Sequence, residues 1–517
     1  MKRAEMISKL NEEKEWDIIV IGGGATGLGI AVDAASRGYQ TVLFEQYDFA
    51  KGTSSRSTKL VHGGVRYLAQ GNIKLVREAL YERGLLLKNA PHLTRRQTFI
   101  VPSYHWWEKW FYGAGLKIYD LLSGKLSLGK TKFLSKKEVL KYLPFAETKK
   151  LSGGVLYYDG QFDDARLAVN LAQTAAEQGA AIINYCGVES LIKDKKKVKG
   201  VVVKDILSNK EYSIKGKAVI NATGVFADDI LKMDNPESPE MISPSQGIHV
   251  VLDKKFFPGD CALMIPKTDD DRVLFAVPWH DKVVVGTTDT AIEEILSEPE
   301  PLEEEIDFII RHFNHYLTAD IKRSDVKSVF VGLRPLVKSG NAKSTALISR
   351  DHTILVSPAG LITVTGGKWT TYRKMAKDAV ENAVFIAKIP RSNCVTDELK
   401  LHGWTEQQDE TDPLHIYGSD AAGIRKIMAE FPETKERLHP AMLYTKAEVV
   451  WSVQHEMAMT VEDVLARRMR MLFLDARAAA ASAKVVAEIM AKEMNKGEEW
   501  IKEQEEEFKQ LAEGYIL

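Results

Sequence analysis

Three glycines near the N-terminus have the spacing of a turn that binds phosphate. Gly22, Gly24 and Gly27 follow the short apolar run 17–21 and precede an alanine-rich segment. In that context the first glycine permits a tight turn, the second lets the backbone approach a pyrophosphate, and the third allows a helix to pack closely on a strand. The N-terminus of the helix offers free N–H groups to the anion. The pattern therefore predicts a dinucleotide site.

A carboxylate stands where such a site needs one. Glu45 ends a second apolar run, about twenty residues beyond the glycines, where it can accept hydrogen bonds from an adenosine ribose. The acid by itself does not distinguish FAD from NAD. Two later glycine-rich strand ends, 221–224 and 365–368, favour FAD, because the longer flavin cofactor needs backbone contacts from distant parts of one chain.

A further segment, 53–64, adds hydroxyls and glycines soon after the second strand. It can surround the diphosphate and the isoalloxazine. The cofactor contacts that we expect beyond the first turn and Glu45 are Thr53, Ser54, Ser55, His62, Gly63, Gly64, Val188, Ala222, Thr223, Gly224, Gly367, Lys368 and Thr370. From the residues alone, His62 is either a flavin contact or a turn residue.

These residues need a parallel sheet to bring them together. Residues 17–45 are typical of a β–turn–α–β unit. Further along, the pattern predicts a hairpin at 198–214 and buried strands at 217–221 and 361–365. Alternating runs from 246 to 289 indicate an antiparallel sheet inserted between the parallel pieces.

We therefore expect an α/β fold in three parts, as a chain of 517 residues suggests at about 150 residues per domain. A Rossmann-like FAD-binding domain is formed by 15–70, 150–235 and 340–388, an antiparallel substrate-binding or cap domain by 71–149 and 236–339, and a C-terminal helical domain by 389–517.

Composition excludes several other classes of protein. Hydrophobic residues make up 45% of the chain, charged residues 27%, and the formal net charge is −1. This balance gives no electrostatic reason to expect nucleic acid as a partner. Cys186, Cys261 and Cys394 lie too far apart in sequence for a disulfide framework or a C-x-x-C metal site. We expect no metal site and a reducing compartment.

Signals for membrane attachment are mixed. The chain has no run of about 18 uninterrupted apolar residues, and its charged N-terminus lacks a signal-peptide core, so we expect a cytoplasmic protein. Residues 105–122 nevertheless contain the aromatic residues Trp106, Trp107, Trp110, Phe111, Tyr112 and Tyr119. They favour either contact with a membrane interface or an aromatic packing seam inside the cap domain.

Several segments together resemble the FAD-dependent glycerol-3-phosphate dehydrogenases. They read IGGGATGLGIAVDAASRG, TSSRSTKLVHGGVRYL, INATG, VGLRPL, ISRDHT and GGKWTTYRKMA. The resemblance extends from about 16 to 387, with further similarity around TVEDVLARRMRMLFLD. It implies an FAD-binding domain of the glutathione-reductase and D-amino-acid-oxidase type. Leu28 departs from the pattern, because the family usually has a small residue there.

The resemblance implies that the chain oxidises sn-glycerol 3-phosphate to dihydroxyacetone phosphate by hydride transfer to FAD. Electrons then pass to a membrane quinone, in a protein held peripherally at the cytoplasmic membrane, with homodimer formation left open. The alternatives are an oxidase that uses oxygen and makes hydrogen peroxide, a non-catalytic FAD-binding scaffold, and an amino-acid oxidase with fewer phosphate-binding cations. Related oxidases usually carry an insertion and are longer, which favours the dehydrogenase.

The resemblance also implies three catalytic residues. His249 is expected near the reacting carbon, where an imidazole with an ordinary pKa of about 6.5 suits proton transfer. Arg334 is expected to face the substrate oxygens near the flavin, and Lys368 to complete the pocket. Without the resemblance, the pattern favours an ordinary sheet residue for His249, and Arg334 could be a structural ion pair. Asp289 is either a turn cap or a support for a substrate arginine.

Substrate binding is the remaining expectation. A dianionic phosphate needs fixed cationic donors, and the arginine fork suits it best. Arg66 and Arg350 match family positions that imply phosphate binding, and Tyr67 is expected beside them.

Overall fold

The computed structural model of the protein describes residues 1–12, 14–69, 71–269, 272–338, 352–406 and 409–517. Arg350, one of the two expected phosphate ligands, lies outside the described residues, and so does the side chain of Arg66.

Strands predominate before residue 370 and helices after it. The strands are β1 (Trp16–Ile21), β2 (Thr41–Phe44), β3 (Leu60–Val61), β4 (Thr94–Ser103), β5 (Lys132–Ser135), β6 (Gly153–Phe162), β7 (Ala181–Ile183), β8 (Cys186–Asp194), β9 (Lys197–Asp205), β10 (Lys210–Asn221), β11 (Ile242–Asp253), β12 (Ala262–Ile265), β13 (Leu274–Trp279), β14 (Lys282–Gly286), β15 (Thr290–Ala291), β16 (Val326–Val337), β17 (His352–Val356) and β18 (Ile362–Gly366). The helices are α1 (Arg3–Glu12), α2 (Ala25–Ser36), α3 (Val65–Ala69), α4 (Ile73–Asn89), α5 (Glu108–Ser123), α6 (Lys136–Tyr142), α7 (Asp164–Glu177), α8 (Ala227–Asp234), α9 (Glu303–Asn314), α10 (Tyr372–Ala387), α11 (Ala421–Glu430), α12 (Lys446–His455), α13 (Met471–Leu474), α14 (Ala476–Met494) and α15 (Glu498–Glu513).

The first sheet is the expected parallel one. Its strands follow the order β17-β18-β10-β1-β2-β7, and β17 alone along this path runs antiparallel to its neighbour in the described residues. Helices α2, α7 and α10 pack side by side against the apolar strands, whose side chains are buried in one core. Ile21 aligns with Phe44 and Asn221, so the carboxyl ends of three strands meet at one edge. The expected α/β class is confirmed.

The strand β10 differs from the prediction. We expected one arm of a hairpin followed by a separate buried strand, whereas Lys210–Asn221 is continuous. Lys210 to Lys215 pair antiparallel with β9, and Gly216 to Asn221 pair parallel with β1. The first half alternates polar residues with Tyr212 and Ile214, whereas the second half contains the continuous apolar run 218–220, which is why the two halves look unrelated in sequence.

The second sheet is largely antiparallel and carries the expected alternating strands. Its main path is β15-β11-β14-β13-β12-β4-β6-β3, with β16 paired to β11 and β5 to β6. β3 and β6 pair in this second sheet although 15–70 and 150–235 were assigned to the FAD-binding domain. The division into three domains stays a proposal, with these two strands as exceptions to its boundaries.

The C-terminal helices pack directly on the second sheet. Phe473, from α13, contacts Phe330 of β16 with ring centroids 5.1 Å apart. Both belong to one core that also includes residues of α14 and α15. The helical region is therefore continuous with the sheet that carries β11 and β16.

Candidate active site

A cavity of about 650 Å³ lies at the carboxyl edge of the parallel sheet. It is lined by Gly22 and Gly24 from the turn after β1, by Glu45 after β2, by Ala222 after β10 and by Gly366 at the end of β18. Cavities at this edge are where open α/β sheets bind ligands.

Close backbone contacts explain the glycines of the first turn. Gly22 has φ of 106°, and a Cβ there would lie 2.7 Å from the Ala222 carbonyl oxygen. A Cβ at Gly27 would lie 1.9 Å from the Gly22 oxygen. Leu28, the departure from the family pattern, is fully buried in the core beneath this turn.

Replacing Gly27 with alanine is expected to weaken FAD binding by roughly tenfold or more, because the turn must open to admit the methyl group. Flavin released from the purified protein on dilution measures the effect. Gly497→Ala is the matched control, since a Cβ at Gly497 meets nothing within 4 Å. Equal flavin retention by both variants would contradict the expectation.

Glu45 is fixed by two backbone donors. Its carboxylate accepts hydrogen bonds from Gly23 N at 2.6 Å and Tyr47 N at 2.9 Å. Burial raises the pKa of Glu45, and the two N–H groups oppose that shift. A carboxylate held on the cavity wall suits an adenosine ribose, and the narrow turn beside the N-terminus of α2 suits a pyrophosphate. The residues present therefore fit a dinucleotide such as FAD.

Most of the expected cofactor contacts surround this cavity or the one beside it. The first cavity is lined by Thr53, Ser54, Val188, Ala222, Thr223, Gly224, Gly367 and Lys368. The second is lined by Thr53, His62, Gly64, Gly367, Lys368 and Thr370. Ser55 and Gly63 are buried and line neither in the described residues.

The second cavity, of about 310 Å³, shares Thr53, Pro335 and the segment 366–369 with the first. It brings together four expected residues, namely Tyr67, His249, Arg334 and Lys368. The Lys368 ammonium lies 3.9 Å from the centroid of the Tyr67 ring, in cation–π range. The two cavities therefore lie side by side along this shared wall.

Arg334 is held rigidly on β16. Its guanidinium donates to Asp289 Oδ1 at 3.1 Å, to the Gln246 carbonyl at 3.0 Å and to the Thr288 carbonyl at 2.7 Å. Thr287 Oγ1 accepts a further hydrogen bond at 3.1 Å. Asp289 thus supports Arg334 and does not act only as a turn cap.

His249 lies on β11, and 3% of its surface is exposed. Its Nε2 is 2.8 Å from Thr58 Oγ1, and its ring stacks on Phe330 at 4.8 Å. Among the described residues, Nδ1 is buried and has no hydrogen-bond partner. A buried nitrogen that has no partner in the protein is available to a water molecule or a ligand.

The surroundings of His249 keep it neutral. Burial, followed by the charges of Lys59 and Arg334, lowers the pKa of His249 well below its ordinary value. Lys59 is itself buried, and its ammonium lies 2.8 Å from Asp164 Oδ2. At neutral pH the imidazole can therefore accept a proton.

Three residues around this cavity were missed by sequence reasoning. Thr58 forms a hydrogen bond with His249, and the charge of Lys59 acts on the same imidazole. Arg272 adds a cationic side chain to the cavity lining. Thr58 and Lys59 fall inside the segment that we assigned to the flavin, and that position was the available signal. Arg272 lies in no motif that we recognised.

Comparisons with known proteins agree with this geometry. A family model for FAD-dependent oxidoreductases matches residues 17–373, and a model for the C-terminal domain of alpha-glycerophosphate oxidase matches 362–501. A probable mitochondrial glycerol-3-phosphate dehydrogenase of Caenorhabditis elegans is 41% identical, over 95% of this chain and 72% of that protein. A mitochondrial glycerol-3-phosphate dehydrogenase of Arabidopsis thaliana is 40% identical, over 97% and 86%.

Solved structures give the same result. The glycerol-3-phosphate dehydrogenase of Bacillus halodurans, solved with FAD, has a TM-score of 0.82 and 30% identity, covering 100% of this chain and 98% of that one. Glycine oxidase of Bacillus cereus has a TM-score of 0.53 and 17% identity, covering 76% of this chain and 100% of that one, a likeness of fold alone.

Proposed function

The chain belongs to the FAD-dependent glycerol-3-phosphate dehydrogenases, and from this membership we propose that it oxidises sn-glycerol 3-phosphate to dihydroxyacetone phosphate and passes the electrons to a membrane quinone. FAD is its cofactor. The observation that supports the reaction best is His249, whose buried Nδ1 has no partner among the described residues and which shares a cavity with Arg334.

Oxidation of a secondary alcohol needs a hydride acceptor and a base. Bound FAD supplies the hydride acceptor. His249 takes the hydroxyl proton at Nδ1 while Thr58 holds Nε2. Arg334 orients the substrate oxygen and stabilises the negative charge that develops on it as the proton leaves. Because the contacts of Arg334 are rigid, its positive charge is in place before the substrate arrives.

Cations around the second cavity suit the substrate phosphate. Arg66 and Arg350 are the proposed phosphate ligands by likeness to the family. Lys368 and Arg272 line the described part of the same cavity. A chain with almost no net charge thus concentrates positive charge where a dianion must bind.

Anaerobic addition of glycerol 3-phosphate to the purified protein is expected to bleach the flavin absorbance. A soluble quinone analogue added next should restore the absorbance faster than oxygen does, and with little hydrogen peroxide. Peroxide formed in step with substrate would favour the oxidase. Bleaching by glycine or D-amino acids alone would favour an amino-acid oxidase, and no bleaching at all would favour the scaffold.

The aromatic segment 105–122 supports peripheral membrane contact. Tyr119 is buried, whereas Trp106 is 78% exposed, Trp110 58%, Phe111 61% and Leu121 80%. Large exposed apolar patches mark interaction sites, and Trp is enriched at membrane interfaces. Within the described residues, no helix is long and apolar enough to cross a bilayer. We place this patch on the cytoplasmic membrane, which would bring the protein to its quinone.

Replacing Trp106, Trp107, Trp110 and Phe111 together with serine is expected to lower binding to anionic vesicles by roughly tenfold or more, because the variant loses the apolar face that enters the interface. Vesicle co-sedimentation measures this. Phe385→Ser is the matched control, since Phe385 is 83% exposed on a different helix, α10. Unchanged vesicle binding by the folded quadruple variant would refute the membrane patch. Sedimentation velocity would separately test the homodimer.

A further inference from the structure

The C-terminal region contacts the loop that follows β2, beside the cofactor cavity. Asp48 lies in that loop and is fully buried. Arg468 forms a bidentate pair with it, Nη1 to Oδ2 at 2.6 Å and Nη2 to Oδ1 at 2.9 Å. Arg467 Nε donates to Oδ2 at 2.5 Å. The guanidinium groups of Arg467 and Arg468, which are far from Asp48 in sequence, thus hold its carboxylate.

The loop that contains Asp48 also forms part of the cofactor site. Asp48 is three residues beyond Glu45, whose carboxylate accepts a hydrogen bond from Tyr47 N. Ala50, two residues further, donates its N–H to the Gly23 carbonyl at 3.0 Å and has φ of 61°. A shift of this loop would therefore move both the ribose carboxylate and the glycine turn.

A second contact ties the loop to the same C-terminal segment, residues 462–468. Lys51 lines the cofactor cavity, and its ammonium lies 2.7 Å from Glu462 Oε2. Glu462 also accepts a hydrogen bond from Arg467 Nη1 at 2.6 Å. One C-terminal carboxylate thus bridges a buried arginine and a lysine of the cavity wall.

The surrounding ionic network is electrically balanced. Its carboxylates are Asp48, Glu298, Glu462 and Asp463, and its cations are Lys51, Arg56, Arg467 and Arg468. Removing one partner of a buried ion pair costs free energy, because the remaining charge is left uncompensated. The loop is therefore held in one position.

We propose that Arg467 and Arg468 are positioning residues for FAD. By holding Asp48, they fix the loop that carries Glu45 and closes on the glycine turn, so the C-terminal helices complete the cofactor site without contacting the reacting atoms. The proposal rests on FAD binding and is independent of the substrate and of the electron acceptor.

The test compares FAD release from holoenzyme variants with their thermal unfolding. Arg468→Lys keeps the charge but loses the bidentate fork, Lys51→Gln breaks the outer contact, and Asp48→Asn removes the central carboxylate. The matched control is Asp33→Asn, because Asp33 forms a buried pair with Arg37 at 2.5 Å on α2, several residues beyond the glycine turn. Flavin fluorescence reports release, and circular dichroism reports the fold.

Arg468→Lys and Lys51→Gln are expected to release FAD roughly tenfold faster while still folded, since lysine cannot reproduce the arginine fork, and excess FAD should restore turnover. Asp33→Asn should lower the melting temperature but release FAD at the wild-type rate. If Asp48→Asn does not fold, the other two variants decide. Wild-type release by both folded variants, or equally fast release by Asp33→Asn, would overturn the proposal.

Discussion

Replacing Arg334 with alanine is expected to lower kcat/KM for glycerol 3-phosphate by about 10²–10³-fold, the usual effect of removing one fixed donor to a developing oxyanion. Asp289 and the carbonyls of Gln246 and Thr288 orient this guanidinium before substrate binds. Water cannot replace it, because a water molecule would have to be ordered during the reaction. Flavin bleaching under anaerobic single-turnover conditions measures the loss directly.

Controls separate catalysis from folding in this experiment. Arg334→Ala leaves Asp289 with one fewer cationic partner, so the double variant with Asp289→Asn removes that uncompensated charge. Arg323→Ala removes an exposed arginine paired with Glu303 and Asp307, and it should behave like the wild type. If Arg334→Ala bleaches at the wild-type rate, Arg334 is a structural ion pair only.

Replacing His249 with alanine is expected to slow flavin reduction by about 10²–10⁴-fold, the range typical of a positioned general base. Because burial lowers the pKa of His249, the imidazole is neutral at neutral pH. The wild-type kcat/KM should therefore stay level as the pH falls through the ordinary histidine value of about 6.5 and decline only at lower pH. A pH profile of kcat/KM shows whether the acid limb lies below the ordinary histidine pKa.

Thr58→Val is the companion variant for His249. It removes the partner of Nε2 and keeps the imidazole, so the rate should fall less than in His249→Ala, and the acid limb of the pH profile should move. An acid limb centred at the ordinary histidine pKa in the wild type would contradict the buried, neutral imidazole. A His249→Ala variant with wild-type bleaching would assign the proton to another base.

The glycine turn and Glu45 could be predicted from sequence because their requirements are local. The spacing of Gly22, Gly24 and Gly27 dictates backbone approach within a single turn, and the acid ends the next strand. The pairing of β10 with β9 along its first half and with β1 along its second half could not be predicted, because strand pairing depends on partners far along the chain. The local sequence pattern predicts a helix or strand, whereas its position in the sheet depends on pairing with distant segments.

The proposed catalytic residues illustrate the same limit. Likeness to the family suggested His249 and Arg334 separately, but their closeness depends on the register that sets Ser245 opposite Arg334 and His249 opposite Phe330. Thr58 and Arg272 have no distinctive spacing, so only the folded chain reveals them at the cavity. The aromatic segment left two interpretations open because periodicity does not tell which face of a helix lacks a partner.

The walls of the cofactor cavity come from segments far apart in the chain. Gly22, Glu45, Ala222 and Gly366 each supply one side. When the first two hundred residues have emerged from the ribosome, the glycine turn is present but the cavity is not. The cavity has all of these walls only when β18 has emerged and joined the sheet, and Arg467 and Arg468 emerge later still, so loading of FAD belongs to the end of folding. Long-range pairing of this kind is slow, and the unloaded intermediate is the species most exposed to aggregation.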